Sequence, residues 1–102
     1  MTANALRGEA ALLVGGETLV LRPSFAALVA AEEELGSLFA LVERAAGGGL
    51  RLAEIATLFW HCLAERTEGI TREQLGAAVV ECGIASVMPA LRVLLHQVLQ
   101  GR

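Results

Sequence analysis

The residues best suited to acid–base chemistry in this chain are its two histidines and the glutamates near them. His61 and Glu65 are four residues apart, so on a helix they would lie one turn apart and could share a proton or supply two metal ligands. His96 is the second histidine. No nucleophile with a third, orienting group is recognisable beside either imidazole. A contact on a solvated helix face is the simpler interpretation, so the sequence predicts that the protein is not an enzyme.

Metal and phosphate sites require ligands at characteristic spacings, and these spacings are missing. A structural zinc site takes four ligands, commonly from Cys-x-x-Cys or His-x-x-x-His segments, and this chain has neither. Residues 67–75 are similar to the exit of a calcium-binding EF-hand loop, but Leu63 falls where the first oxygen ligand is needed. The glycines at 47–49 follow a predicted helix, and no Lys-Ser or Lys-Thr pair comes after them. We therefore expect no metal and no cofactor.

The charge of the chain is small and negative. Eight arginines and eleven glutamates, with no lysine or aspartate, give a net charge of −3, which is a poor match for nucleic acid. Two predicted helices joined through Gly83 could still mimic a helix-turn-helix, with Ser86, Pro89 and Arg92 on the early face of the second helix. No nucleic-acid partner is the main expectation. A small helical DNA-binding or regulatory protein is the alternative, and an enzyme subunit or small-molecule binder comes third.

Length and hydropathy indicate one small domain. The chain has 102 residues, which predicts a single domain over 1–102, with residues 1–8 flexible. Hydrophobic residues make up 55% of it, above the usual ~45–50%, which suggests a surface that a partner covers, with self-association as a further expectation. No apolar run reaches about 18 residues, and the N-terminus lacks a signal-peptide layout. We expect no membrane association and a cytoplasmic location.

The first apolar segment predicts a β-hairpin over residues 9–22. Gly15 and Gly16 suit the positive φ values of a two-residue primed turn. That turn sets a register that places Glu9 opposite Arg22 at the open end. A two-stranded hairpin is marginal on its own in water, so one face should pack on helices. The leucines of that face are Leu12, Leu19 and Leu21.

After Pro23 the apolar spacing changes from two residues to about 3.6, which predicts helices. The expected fold is α+β, with an N-terminal β-hairpin followed by a small bundle of four to five helices. The helices are predicted at about 24–35, at a short segment capped by Ser37, and at 52–66, 71–82 and 86–99. Thr71 and Gln74 form a capping-box pattern, and Pro89 suits the first turn of the last helix.

The apolar stripes of these helices predict the core. Both cysteines fall on such stripes, so buried and reduced thiols are expected. A disulfide would require the two helices to face each other at these positions, and a cytosolic setting disfavours it. The predicted inward residues are Phe25, Leu28, Val29 and Leu35; Leu38, Leu41, Val42 and Ala45; Leu52, Ile55, Phe59, Cys62 and Leu63; Leu75, Ala78, Val79 and Cys82; and Val87, Met88, Leu91, Leu95 and Val98.

The order of these segments resembles a known family. Over about residues 7–100 the chain is similar to the gene-transfer-agent family of phage tail assembly chaperones, through segment order and apolar pattern. Residues 50–51 depart from that pattern, because the family often has a serine or threonine where its third helix starts. The segments that carry the resemblance are RGEA at 7–10, LRPSFAAL at 21–28, EEELGSL at 32–38, LAEIATLFW at 52–60 and ITREQLG at 70–76.

The resemblance implies a cytoplasmic assembly factor without catalytic residues. Such a protein would bind the tape-measure protein of a phage or gene transfer agent, keep it soluble and assist polymerisation of the tail tube. A chaperone for an amphipathic helix needs exposed apolar grooves. Trp60, Phe39 and Met88 are the candidate protein-binding residues, because each is large and lies at the edge of a stripe or between helices. Ordinary core positions are the simpler interpretation of all three.

Overall fold

The computed structural model describes residues 9–14, 17–64 and 70–100. Predictions about residues 1–8, the Gly15–Gly16 turn and Glu65 therefore lie outside the described residues. Within them the fold is α+β, and the prediction of a hairpin followed by four to five helices is confirmed, with five. The elements are β1 Ala10–Val14, β2 Glu17–Leu21, α1 Phe25–Leu35, α2 Leu38–Ala46, α3 Leu52–Cys62, α4 Arg72–Cys82 and α5 Ile84–Gln100.

The hairpin has the predicted register. β1 and β2 pair antiparallel with Leu12 opposite Leu19. The Arg22 Nε–H donates to a Glu9 carboxylate oxygen at 2.6 Å, beyond the last strand pair. Leu12, Leu19 and Leu21 are all buried, as expected for a hairpin that needs helices to cover one face.

Local capping interactions fix several helix ends, and those at Ser37 and at Thr71 with Gln74 are the predicted ones. The Ser24 and Ser37 hydroxyls accept hydrogen bonds from backbone N–H groups in the first turns of α1 and α2. Thr71 and Gln74 form the reciprocal capping box of α4, with bonds of 3.1 and 2.9 Å. Gly83 ends α4 with φ at +87°, a backbone conformation that residues other than glycine rarely adopt.

The core lies where the hairpin and the helices converge. α3 packs between α1 and α4, and α5 packs against β1, α2 and α4. Leu58, Phe59 and Leu75 are fully buried. Leu94 is fully buried as well, although it lies outside the predicted stripe of the last helix.

The predicted stripe of α1 was partly wrong. Phe25 is 84% exposed and Val29 is 37% exposed. Ala31, about 120° around the helix from Phe25, is fully buried instead. α1 is apolar over most of its circumference, so periodicity offers more than one stripe, and its packing on α3 selects the face with the small side chain.

Two expectations for α3 were also wrong. Leu52 is 49% exposed, because it is the first residue of the helix, where only one turn packs against it. The helix ends at Cys62 rather than at residue 66, since Leu63 leaves the helical conformation and forms a β-bridge with Leu21. The Arg22 N–H donates to the Cys62 carbonyl at 2.6 Å. The chain after α3 therefore joins the hairpin.

The junction of α4 and α5 corrects three further expectations. α5 begins at Ile84 rather than at Ser86, because the Gly83 carbonyl already accepts from the Ser86 N–H at 3.1 Å. Pro89 consequently lies inside α5 rather than in its first turn. Cys82 is exposed rather than buried. It is the last residue of α4, where the chain bends by 120°, and it lines a small open cleft with Ser86.

In the described part of the chain, no single helix combines the length and apolarity needed to cross a membrane, and α4 with α5 reaches them only as a pair bent by 120°.

Candidate functional site

An apolar groove lies between α2 and α5. It has a volume of about 500 Å³, and the chain after α2 and the first turn of α3 also contribute to its lining. We call it the α2–α5 groove. Its lining residues are Val42, Ala45, Ala46, Gly48, Leu50, Ile55, Met88, Leu91, Arg92 and Leu95.

Helical spacing on both walls produces this surface. α2 contributes residues 42, 45 and 46, and α5 contributes residues 88, 91, 92 and 95, which is the i, i+3, i+4, i+7 pattern of a single helix face. The α2 wall carries two alanines, so the space between the helices is not filled. Gly48 has φ at +76°, which lets the chain turn sharply beneath the groove.

An ion pair links α2 to α3 next to the groove. The Arg44 guanidinium donates two hydrogen bonds to the Glu54 carboxylate, at 2.9 and 2.6 Å. The Arg51 backbone N–H donates to the same carboxylate at 2.9 Å. These bonds, Arg44 first, lower the pKa of Glu54 below its usual range. The end of α2 is therefore held to the start of α3, and both segments contribute to the groove.

A second polar cluster joins α1, α3 and α4 outside the groove. Arg72 donates two hydrogen bonds to Glu34, at 2.6 and 2.9 Å, and His61 Nε2–H donates to Glu34 Oε1 at 2.8 Å. Hydrogen bonds from Arg72 and then His61 lower the pKa of Glu34 from 4.5 to about 2. The Arg72 Cζ atom also lies 5.8 Å from the centroid of the Trp60 ring, within cation–π range. The cluster is suited to holding three helices together.

In the described residues, the titratable side chains near these two locations form structural contacts. His61 and Arg72 both donate to the Glu34 carboxylate, so this imidazole takes part in an ion-pair cluster between helices. The buried thiol of Cys62 has its pKa raised to about 12 by desolvation, which disfavours the reactive thiolate. No group of three or more His, Cys, Asp or Glu side chains is placed to hold a metal in these ranges.

The three candidate binding residues separate into two places. Met88 lines the α2–α5 groove and is partly buried. Phe39 is 59% exposed and lies three and seven residues before Val42 and Ala46, on the same side of α2 as the groove wall. Trp60 is half-buried at the polar cluster under Arg72, apart from the groove.

Sequence reasoning did not identify the alanines of α2 or Leu95 as groove residues. The signal that could have found them has two parts. Two helices distant in sequence each carry an apolar stripe, and the stripe on α2 contains small side chains. Such a pairing leaves space that only a third element or a partner can fill.

The family comparison covers nearly the whole chain. The family model described as "Phage tail tube protein, GTA-gp10" matches residues 7–101. The chain belongs to this phage tail family. The family description names a part of a phage tail and no reaction. No curated protein and no solved structure matches the sequence, so the tail-associated role of this family member rests on the family model.

Proposed function

We propose that this phage tail protein is a non-enzymatic assembly chaperone. It binds the tape-measure protein of its phage or gene transfer agent in the cytoplasm, keeps that protein soluble and assists assembly of the tail tube. The α2–α5 groove is the observation that carries the proposal. Trp60, Phe39 and Met88 are the proposed protein contacts, with Trp60 on a separate surface.

The shape and chemistry of the groove suit an amphipathic helix as the client. α2 has nine residues and α5 has 17, which makes walls about 13 and 25 Å long. A client helix laid between them would insert apolar side chains one and two turns apart. Met88 adds an adaptable side chain to the α5 wall, which accommodates clients with different side chains.

The family description favours a second candidate function, that of a component of the finished tail tube. A tube component stays in the particle, whereas an assembly chaperone leaves it. Quantitative mass spectrometry of purified particles separates the two. Recovery of this chain at a level comparable with the structural tail proteins would favour the tube component.

Co-expression with the tape-measure protein from the same element tests the chaperone proposal. Wild type is expected to raise the soluble fraction of the tape-measure protein and to co-purify with it. Ala46→Glu introduces a carboxylate into the groove at an exposed position of α2, and should weaken binding at least tenfold because the charge must be desolvated. Ala77→Glu makes the same change at an exposed position of α4 and should bind like wild type.

Three outcomes would contradict the proposal. Wild type that neither solubilises nor retains the tape-measure protein removes the chaperone function. Equal loss of binding in Ala46→Glu and Ala77→Glu removes the groove as the contact. A DNA mobility shift at physiological salt, without tape-measure binding, replaces the chaperone with the regulatory alternative.

A further inference from the structure

The outer face of α1 has the pattern that the α2–α5 groove is suited to receive. Phe25 is 84% exposed and Val29, one turn later, is 37% exposed. Glu33, one more turn along the same face, is exposed too. We call these three residues the α1 ridge, since side chains four positions apart form a continuous ridge on a helix. An exposed aromatic of this size is a large apolar area to leave in water.

The charge of the groove complements that of the ridge. Arg92 is exposed and lies on the α5 wall. Arg22, Arg44 and Arg72 each have a carboxylate partner, whereas Arg92 makes no ion pair with any residue in the described ranges. A helix that brings an acid to the groove beside its apolar side chains would therefore meet an available cation.

The ridge and the groove belong to different surfaces of one molecule. α1 contributes none of the residues that line the groove, and its exposed ridge faces away from the α3 contact that buries Ala31. A ridge-to-groove contact therefore joins two molecules. Because it uses two different surfaces, it is heterologous and leaves one ridge and one groove open at the ends of every assembly.

We propose that the α1 ridge of a second copy of this chain docks in the α2–α5 groove, with Glu33 beside Arg92. One helix face buries less area than a stable dimer needs, so the association is weak, with a Kd of about 10–100 µM. The second copy would also regulate the groove, because it covers the groove until a client helix displaces it. This regulatory role rests on the proposed function. The contact itself does not depend on that function.

Sedimentation velocity from about 5 to 500 µM, a range that spans the expected Kd, tests the contact. Wild type should exceed the monomer mass of 10.7 kDa increasingly with concentration. Phe25→Ser removes the ridge and Ala46→Glu blocks the groove, so each variant alone should stay monomeric. Val80→Ser, at a position on α4 that is 59% exposed, should associate like wild type.

Mixing the two monomeric variants is the sharpest part of the test. Phe25→Ser keeps an intact groove and Ala46→Glu keeps an intact ridge, so an equimolar mixture should form a one-to-one dimer and nothing larger. Glu33→Arg should weaken the association, and adding Arg92→Glu to it should restore the association. Wild type that stays monomeric at the highest concentration, or a mixture that stays monomeric although wild type associates, would overturn the proposal.

Experiments can distinguish a failure of the self-association from a failure of the chaperone function. Wild type that fails to self-associate but still binds a tape-measure fragment, with Ala46→Glu weakening that binding, rules out only the second copy as the occupant of the groove. Self-association without tape-measure binding removes only the chaperone function. If both hold, Phe25→Ser should bind the fragment more tightly than wild type at concentrations above the Kd of self-association, because the groove is no longer covered.

Discussion

Two leucines of α3 provide a matched test of how this helix is oriented. Leu58 is fully buried, whereas Leu52 is 49% exposed. Both are leucines in one helix, so replacing either by alanine changes helix propensity by nearly the same small amount. The difference between the two variants therefore reports burial.

The expected magnitudes follow from that burial. Leu58→Ala removes a fully enclosed side chain and leaves a cavity, which costs about 2–5 kcal/mol of unfolding free energy. Leu52→Ala loses roughly half of the ~1.5–3 kcal/mol that full burial provides, and leaves no closed cavity, so it should cost about 1 kcal/mol. A loss of about 3 kcal/mol is smaller than the usual total of about 5–15 kcal/mol, so both variants should fold.

Urea denaturation followed by circular dichroism measures the difference. With a slope of about 1.5 kcal/mol per molar urea, a loss of about 3 kcal/mol lowers the midpoint by about 2 M, whereas Leu52→Ala lowers it by less than about 1 M. Measurements at low protein concentration exclude a contribution from self-association. Equal midpoints, or a larger effect at Leu52, would refute this orientation of α3.

The remaining predictions concern charge, capping and thiol reactivity. The folded state favours the ionised form of Glu34, because the pKa of about 2 lies below the ordinary 4.5. The contribution of Glu34 to folding stability is therefore complete above pH 4.5 and is lost as pH falls towards 2. Melting temperatures of wild type and Glu34→Gln should converge over that window. Thr71→Ala should cost about 1 kcal/mol in urea denaturation by removing the α4 cap, and no loss would contradict the capping box. A thiol reagent should label exposed Cys82 in the native protein and Cys62 only on unfolding; early labelling of Cys62 would show that α3 opens locally.

The sequence determined the features that depend on neighbours along the chain. The hairpin register depended on two glycines between strands of alternating residues, and the Glu9–Arg22 pair lies where that register requires. The starts of α1, α2 and α4 depended on Ser24, Ser37 and Thr71, whose side chains bond their own first turns. Such interactions span three or four residues, so the sequence contains all of their participants.

Only the tertiary structure decided which helix faces are buried. α1 is apolar over most of its surface, so its packing on α3 chose Ala31 over Phe25 as the buried position. α3 stops at Cys62 because Leu63 forms a β-bridge with Leu21, a residue of β2 that is distant in the chain. In each case the competing conformations have similar local preferences, and distant contacts select between them.

The candidate site depended on the tertiary structure even more strongly. Met88 and Phe39 were recognisable as large apolar residues at stripe edges, but the groove exists because α2 and α5, more than thirty residues apart in the chain, face each other across small side chains. The Glu34–His61–Arg72 cluster likewise takes one residue from each of three helices. The sequence determines which surfaces are apolar or charged, and the packing of the helices determines which of those surfaces meet.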